Sequence, residues 1–251
     1  MLEKLPKKPE YFAGIKVDGA YERFLRKEEE KARAKVKINP EITQTNINNF
    51  IYVPSTNCYL AKQRTHLGAD WYNTHKTLHQ ENLLMPTILQ FIASINYLKQ
   101  NPNETQDASQ SEIARILDDI LTVRDPWRAE WLDAKFENKD KKLYINYNHR
   151  TDLNGNLVPQ NSEPLEECLM EDKLPGINLD SLLINHTSQG LPKPNVSNGS
   201  LYYYHPRENC VARFRAGSGR ADLYCGSGPG VSDASLGVFS VCEANAAQRK
   251  I

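Results

Sequence analysis

Residues 209–242 constrain the fold of this chain more than any other stretch, because two classes of position alternate along them. One class is a frame of apolar and small residues, and the other holds Gly, Asp, Arg, Tyr and Cys at the intervening places. The segment contains six of the 13 glycines in the chain, yet it has no Lys, Glu, Gln, Met or Trp. Alternation with a period of two is typical of strands that bury one face and expose the other.

The missing residue types match the outcome of a defined kind of mutagenesis. Randomising only the adenines of an asparagine codon (adenine, adenine, pyrimidine) never yields Lys, Glu, Gln, Met, Trp or a stop codon. The composition therefore indicates adenine-directed diversification of the intervening positions, which we expect to bind a ligand. These candidate variable residues are Asn209, Cys210, Arg215, Gly217, Gly219, Asp222, Tyr224, Gly226, Gly228, Gly230, Val231 and Asp233.

The frame between these positions carries a family resemblance. It consists of Val211-Ala212-Arg213-Phe214, Ala216, Ser218, Arg220-Ala221, Leu223, Cys225, Pro229 and residues 234–238. This frame resembles the variable region of diversity-generating retroelement target proteins, in particular those of archaea and archaeal viruses. A looser likeness runs through residues 49–54, 60–62 and 85–87. Phe239-Ser240 departs from the family pattern, in which many members have a basic residue.

The resemblance implies a fold and a function. The fold is α+β and C-type lectin-like, with an antiparallel sheet, two flanking helices and long irregular loops. The function is binding of a protein or other surface ligand on a host or neighbouring cell, from a virion surface (tail or fibre) or a cell surface. We expect Arg215, Asp222 and Tyr224 to make the strongest contacts, because such side chains dominate binding surfaces. The frame residues expected to point inward are Val211, Phe214, Leu223, Leu236 and Val238.

The chain is expected to have two parts. Residues 1–45 form a charged extension, which has helix-forming composition over residues 20–36. Residues 46–251 form the lectin-like domain, with its variable region at about 208–242. Glu208 cannot arise from an asparagine codon, so the window begins at or after it. The oligomeric state stays open.

Local patterns predict several helices and strands within the domain. Pro86 and an apolar stripe predict a helix over 85–99, and the capping-box spacing of Ser109 and Glu112 predicts another over 111–123. Trp127 and Trp131 are expected to stack on one face, as part of the core or, alternatively, as a lid. Residues 160–200 are rich in Pro, Asn, Ser and Gly and are expected to form irregular loops. Strands are predicted over 50–53, 58–61, 141–149, 157–158, 201–204, 211–214, 221–225 and 236–241.

Composition argues against several classes of partner. Lys+Arg and Asp+Glu balance at 31 each, which gives no support for a nucleic-acid partner. The chain lacks an apolar run long enough for membrane insertion, and its N-terminus lacks the apolar core of a signal peptide. The five cysteines have no Cys-x-x-Cys spacing, so we expect most of them to be reduced and buried. A Cys225–Cys242 bridge stays open.

The sequence contains no recognised motif for catalysis, cofactor binding or metal binding. His75 and His79 could share a helix face, but the Glu of a His-Glu-x-x-His zinc motif is missing. We therefore expect no catalytic residue, no metal and no cofactor. An enzyme on a lectin-like scaffold similar to the formylglycine-generating enzymes is an alternative. Its only candidates are Cys225 and Cys242, and no base is paired with either. A lectin-like module of fixed specificity is a second alternative.

Overall fold

The computed structural model describes residues 47–244, together with the backbone of the strands β1 (Tyr11–Phe12) and β2 (Ile15–Lys16). Contacts divide the chain into two units, Met1–Glu41 and Ile42–Ile251. In the first unit, β1 pairs antiparallel with β2. The helix predicted over 20–36 lies outside the described residues.

The described part of the second unit is built on two sheets. Its strands are β3 (Phe50–Val53), β4 (Cys58–Ala61), β5 (Arg128–Lys139), β6 (Lys142–Thr151), β7 (Leu157–Pro164), β8 (Lys173–Ile177), β9 (Leu201–Tyr204), β10 (Cys210–Ala216), β11 (Ala221–Ser227), β12 (Leu236–Gly237) and β13 (Val241–Glu243). The larger sheet has the order β7-β6-β5-β10-β11-β9-β8, and β12 also pairs with β5. The smaller sheet has the order β13-β4-β3.

The larger sheet is mixed rather than wholly antiparallel. Strand β9 runs parallel to β11, and β12 runs parallel to β5, whereas the other neighbours are antiparallel. The expectation of an antiparallel sheet is therefore wrong at these two pairings. The parallel pairings connect strands that are distant along the chain, and no local pattern in the sequence specifies such partners.

Four helices are described: α1 (Trp71–Gln80), α2 (Ile88–Gln100), α3 (Gln110–Leu121) and α4 (Leu179–Ile184). The described residues thus form a mixed α+β fold in which sheet predominates, and the α+β prediction is confirmed. Helix α2 begins three residues later than predicted because Thr87 is its N-cap. The Thr87 hydroxyl accepts a hydrogen bond from the Gln90 N–H at 3.1 Å. None of the described helices has the length and apolar character needed to cross a membrane.

The core lies on both faces of the larger sheet. On one face, α2 and α3 pack against β5, β10 and β11, and the rings of Phe91 and Phe214 lie 5.5 Å apart. On the other face, a smaller cluster joins Trp71 of α1 to Trp131 of β5. The inward orientation of the frame residues is confirmed, because each side chain is buried: Val211, Phe214, Leu223, Leu236 and Val238.

The structure adds elements that the sequence patterns did not predict. Trp127 and Trp131 do belong to one cluster, but Trp131 lies in the long strand β5. The region 160–200 is less irregular than expected, because it contains the end of β7, all of β8 and helix α4. Helix α1, which carries His75 and His79, precedes the predicted helices.

Candidate functional site

The strands β9, β10 and β11 place polar and aromatic side chains on one face of the larger sheet. Arg213 pairs with Tyr224, and Arg215 pairs with Asp222, across the antiparallel β10–β11 ladder. Paired residues share a face, so Phe214 and Leu223 lie on the opposite, core-facing side. The parallel strand β9 extends the first face by Tyr202 and Tyr204. We call these side chains the arginine–tyrosine face: Tyr202, Tyr204, Arg213, Arg215, Asp222 and Tyr224.

Stacked cations and rings organise this face. The Arg213 guanidinium lies 5.1 Å from the ring centre of Tyr224 and 5.9 Å from that of Trp127. The Tyr224 ring meets Tyr204 edge-on at 4.8 Å, between ring centres. Such contacts hold flat side chains in fixed positions, which lowers the entropy cost of binding a ligand.

Asp222 departs from the expected outward projection. Its side chain is only 1% exposed, and Oδ2 accepts from Arg215 Nε at 2.9 Å and from Nη2 at 2.6 Å. Oδ1 has no hydrogen-bond partner. Burial raises the pKa of Asp222, and the Arg215 guanidinium opposes that rise. Asp222 therefore positions Arg215 in this chain rather than contacting a ligand itself.

The loop between β11 and β12 passes close to the same face. The pKa of Arg213 is lowered by burial and by Arg215, and Asp233 of this loop is near enough to oppose that shift. The loop is fixed at both ends, because Trp71 N–H donates to Pro229 O at 3.0 Å and Gly68 N–H donates to Leu236 O at 3.0 Å. The loop tip between these anchors is exposed.

The candidate variable residues fall into three classes of exposure. The exposed ones are Asn209, Gly219, Gly228, Gly230, Val231 and Asp233. The half-buried ones are Cys210, Arg215, Tyr224 and Gly226, and the buried ones are Gly217 and Asp222. Tyr224 lies against Arg213 and Arg215 binds Asp222 on the same face, while Asp233 is near enough to Arg213 to affect its pKa.

Asn209 and Cys210 lie at the start of β10, beside Arg207. The Cys210 N–H donates to Arg207 O at 3.2 Å. Asn209 has a φ of 59°, which Asn and Gly tolerate better than other residues. The backbone therefore restricts the residue types that can replace Asn209.

The glycines divide by their surroundings. At the five candidate variable glycines, an added Cβ would meet no backbone atom closer than 3.6 Å, and the tightest contact is with the side chain of Arg207 at 3.3 Å from Gly226. At the frame residue Gly237, the same atom would lie 2.6 Å from Thr65 O. The remaining described glycines either meet backbone at 2.5 Å or less or have a positive φ: Gly68, Gly155, Gly176, Gly190 and Gly199. Among the described glycines, only the candidate variable ones can thus accept a side chain without meeting backbone or needing a positive φ, and at Gly226 the flexible Arg207 side chain must shift.

Several residues of the face were not among the sequence candidates. Arg213 belongs to the predicted frame, yet its guanidinium is central to the ring contacts described above. Arg220, another frame residue, lies over the Tyr202 ring at 4.9 Å. The period-two alternation of Leu201 to Tyr204 could have identified Tyr202 and Tyr204, because alternate residues of a strand share a face.

The cysteines are poorly suited to catalysis. All five are free, so no Cys225–Cys242 bridge is present. Burial raises the pKa of Cys225 well above its ordinary value, and burial raises that of Cys242 to about 12. A thiol with a raised pKa is rarely a thiolate and is a weak nucleophile near neutral pH.

An open cleft of about 350 Å³ lies beside α3 and the start of β5. Its charges already have protein partners: Arg64 lies 3.6 Å from Glu130, and Arg124 Nη2 lies 2.6 Å from Asp118 Oδ2. These pairings make it a weaker candidate for ligand binding than the arginine–tyrosine face. The cleft is lined by Gln63, Arg64, Leu67, Arg115, Asp118, Asp119, Arg124 and Arg128.

Within residues 47–244, one group of buried side chains has the composition of a metal site. His75, Asp133 and His149 each offer one atom, and these atoms lie within 4.8 Å of one another. Burial lowers the pKa of His75, which favours the neutral ring. The two histidines of this group pack against Trp71 of the smaller core cluster, and the group is separate from the arginine–tyrosine face.

Comparisons of the chain with protein-family models, with curated proteins and with solved structures give no match.

Proposed function

We propose that this chain is a ligand-binding protein of C-type lectin-like fold whose C-terminal face is diversified by adenine-directed mutagenesis. Its contact surface is the arginine–tyrosine face together with the β10–β11 turn and the β11–β12 loop. The ligand is a protein or other molecule on a host or neighbouring cell, and the protein acts as a receptor-binding or attachment module. Its mechanism is non-covalent binding, with affinity set by the variable side chains.

The observation that carries this proposal is the difference in surroundings between the candidate variable glycines and the other described glycines. Codon logic and the frame define the candidate variable positions, and neither depends on the space around a residue. Their five glycines are the described glycines at which a side chain can be added without meeting backbone or needing a positive φ. A diversified surface requires that property at its glycine positions, whereas an ordinary glycine-rich loop does not.

The arrangement of the frame supports the same reading. The apolar frame residues Val211, Phe214, Leu223, Leu236 and Val238 are buried, so most of the core of this segment comes from residues outside the candidate variable set. The two predicted helices, α2 and α3, lie beside a largely antiparallel sheet, as the lectin-like architecture would require, although the described residues add two further helices, α1 and α4. Binding residues that are positioned by a rigid sheet can change, and so change the specificity, while the sheet keeps the protein folded.

The test is to sequence the gene that encodes this chain and several kilobases downstream. We expect a near-copy of the coding stretch for residues 209–242 that differs almost only where the copy has adenine. A reverse-transcriptase gene should lie nearby. The mismatched codons would then identify the variable residues directly.

A locus with neither a near-copy nor a reverse-transcriptase gene would contradict diversification. A lectin-like module of fixed specificity would then replace it. Mismatches that fall on frame codons such as those of Phe214 and Gly237 would contradict the assignment of the surface, because those residues support the fold.

A further inference from the structure

The buried group His75, Asp133 and His149 joins helix α1 to strands β5 and β6. His75 is 0% exposed, and neither of its ring nitrogens has a hydrogen-bond partner. His75 Nε2 lies 3.5 Å from Asp133 Oδ1, and His149 Nδ1 lies 2.5 Å from the same oxygen. A buried imidazole is costly when its only charged contact is a carboxylate oxygen at 3.5 Å and neither nitrogen makes a hydrogen bond, so its position requires an explanation.

We propose that His75, Asp133 and His149 bind a divalent transition-metal ion, with zinc as the natural probe. Two ligands of one tetrahedral zinc ion lie roughly 3.3 Å apart, given bonds of about 2.0–2.1 Å. The 3.5 Å between His75 Nε2 and Asp133 Oδ1 agrees with that spacing. The cation replaces the hydrogen between His149 Nδ1 and Asp133 Oδ1. The distance between these two atoms would then increase from 2.5 Å to roughly 3.3 Å.

The chemistry of the three ligands selects the class of metal. Two imidazole nitrogens and one carboxylate oxygen suit zinc, cobalt, nickel and ferrous ions. Calcium and magnesium prefer sites made wholly of oxygen, so they are unsuitable here. A bound ion would give one His75 nitrogen the partner that it lacks.

The surroundings already hold the three side chains in place. Asp133 Oδ2 accepts from the His149 backbone N–H at 2.9 Å, which fixes the carboxylate. The Trp71 ring packs edge-on against His75 at 4.3 Å and against His149 at 4.9 Å, between ring centres. Trp71 Nε1–H donates to Leu132 O at 3.0 Å. Such outer contacts orient the three ligands, and a water molecule would complete the tetrahedral coordination of the ion.

The role of the ion is structural. Trp71 begins α1, and its backbone N–H holds Pro229 of the β11–β12 loop. Asp133 lies two residues after Trp131, which pairs with Arg213 of the arginine–tyrosine face. A metal at this point therefore secures the support beneath the loop and the face. The site does not depend on the proposed function, since its residues lie outside the variable segment.

The experiment uses the full chain without a histidine tag, stripped of metal and kept reduced. Titration with ZnCl₂ in a calorimeter should show one site per chain, with a Kd tighter than about 1 μM. Zinc at 100-fold above Kd should raise Tm by roughly 5–10 °C. Cobalt should give the visible absorption bands of tetrahedral nitrogen and oxygen coordination, and calcium should have no effect.

Two variants test the ligands. His75→Ala should abolish zinc binding and the Tm increase. Asp133→Asn keeps one oxygen to accept from the His149 backbone N–H but loses the charge and the second carboxylate oxygen, so its affinity should fall at least about 100-fold. His186→Gln is the matched control, because His186 lies outside the group, and it should bind zinc like the unmodified chain.

Three results would overturn the proposal. The first is an unmodified chain that binds neither zinc nor cobalt. The second is unchanged binding in folded Asp133→Asn. The third is a cobalt–thiolate charge-transfer band in the near ultraviolet, which would place the ion on cysteines instead.

Discussion

The contrast between mutable and fixed glycines gives a prediction at the level of single residues. Gly219→Ser and Gly230→Ser should each change Tm by less than about 2 °C, because no atom lies within 4 Å of the added Cβ. Gly237→Ser should lower Tm by roughly 4–10 °C, since its Cβ would meet Thr65 O at 2.6 Å. Differential scanning calorimetry of the three variants measures both effects.

Gly237→Ser is the matched control in this series, because the same side chain is added within the same segment. Equal losses of Tm at all three sites would show that the segment is an ordinary structural loop. Such equality would remove the observation on which the proposed function depends.

The Arg215–Asp222 pair gives a second prediction, because its partners are unequally buried. Asp222→Ala should cost at most about 1 kcal/mol of unfolding free energy, since Arg215 can turn to solvent. Arg215→Ala should cost about 2–4 kcal/mol at pH 8, because it leaves a buried carboxylate without its main partner. Urea denaturation at fixed pH gives both values. Arg207→Ala, whose partner Asp172 is half-exposed, is the control and should cost less than about 1 kcal/mol.

The same pair has a defined pH dependence. The pKa of Asp222 in the folded chain is raised by burial above its unfolded value of about 3.9. The stability associated with its protonated form is therefore complete below pH 4 and is lost as pH rises through the folded pKa. Removal of Arg215 raises that pKa further, so the cost of Arg215→Ala should grow between pH 5 and pH 8. A cost that shrinks over this range would contradict the burial argument.

Single residues also show how far the sequence could predict the site. The alternation of Phe214 with Arg215 was enough to separate core from surface, because a strand has a period of two. The same pattern placed Asp222 outside, where the structure has it buried. Whether a carboxylate is exposed depends on the cross-strand partner, and sequence position alone does not give Arg215 as that partner.

At the level of elements, the sequence predicts α2 and α3, which have both capping residues and an apolar stripe. It does not predict β5, whose buried positions include charged residues. Helix α3 begins after Ser109, and the predicted capping box with Glu112 is present. Strand β5 was missed because it carries charged residues at buried positions. Glu130 is 1% exposed and Asp133 is 2% exposed, so the strand lacks the simple alternation of apolar and polar residues. Their partners, Arg64 and the two histidines, are distant in sequence.

The capping box of α3 gives a third prediction. The pKa of Glu112 is lowered to about 2, first by the Ser109 backbone N–H and then by Lys62. Stability from this carboxylate is therefore present above its unfolded pKa of about 4.3 and is lost as pH falls toward 2. Glu112→Gln keeps a hydrogen-bond acceptor but loses the charge, so its unfolding free energy should fall less between pH 5 and pH 2.5.

Chemical denaturation at several pH values between 2.5 and 5 tests this change. Glu167→Gln is the control, because Glu167 is exposed, and it should keep the pH dependence of the unmodified chain. An identical acid loss in Glu112→Gln and in the unmodified chain would show that the capping box contributes nothing through its charge.

At the level of the whole molecule, the two faces of the larger sheet are covered unequally. Within residues 47–244, α2 and α3 pack on one face, while α1 packs on the other face against β5, β6 and β7. The part over β9, β10 and β11 is left as the half-exposed arginine–tyrosine face. This asymmetry could not be predicted from the sequence, since it depends on the parallel pairing of β9 with β11.

The anchoring of the β11–β12 loop gives a fourth prediction. A flexible Gly/Ser peptide inserted between Val231 and Ser232 that doubles the loop length should cost about 0.6 kcal/mol, or roughly 1–3 °C of Tm. The same peptide inserted between the buried residues Val238 and Phe239 should prevent folding. Calorimetry and far-UV circular dichroism of the two insertions distinguish these outcomes. A similar loss at both sites would contradict the role of the anchors.

The hydrogen bonds to Pro229 and Leu236 affect the length of the β11–β12 loop as well as the residues that it can contain. Since Trp71 and Gly68 hold the loop at its two ends, the backbone between them is free to change in length as well as in composition. The fold could then carry an entire foreign peptide or small folded module at this position, presented from the same scaffold.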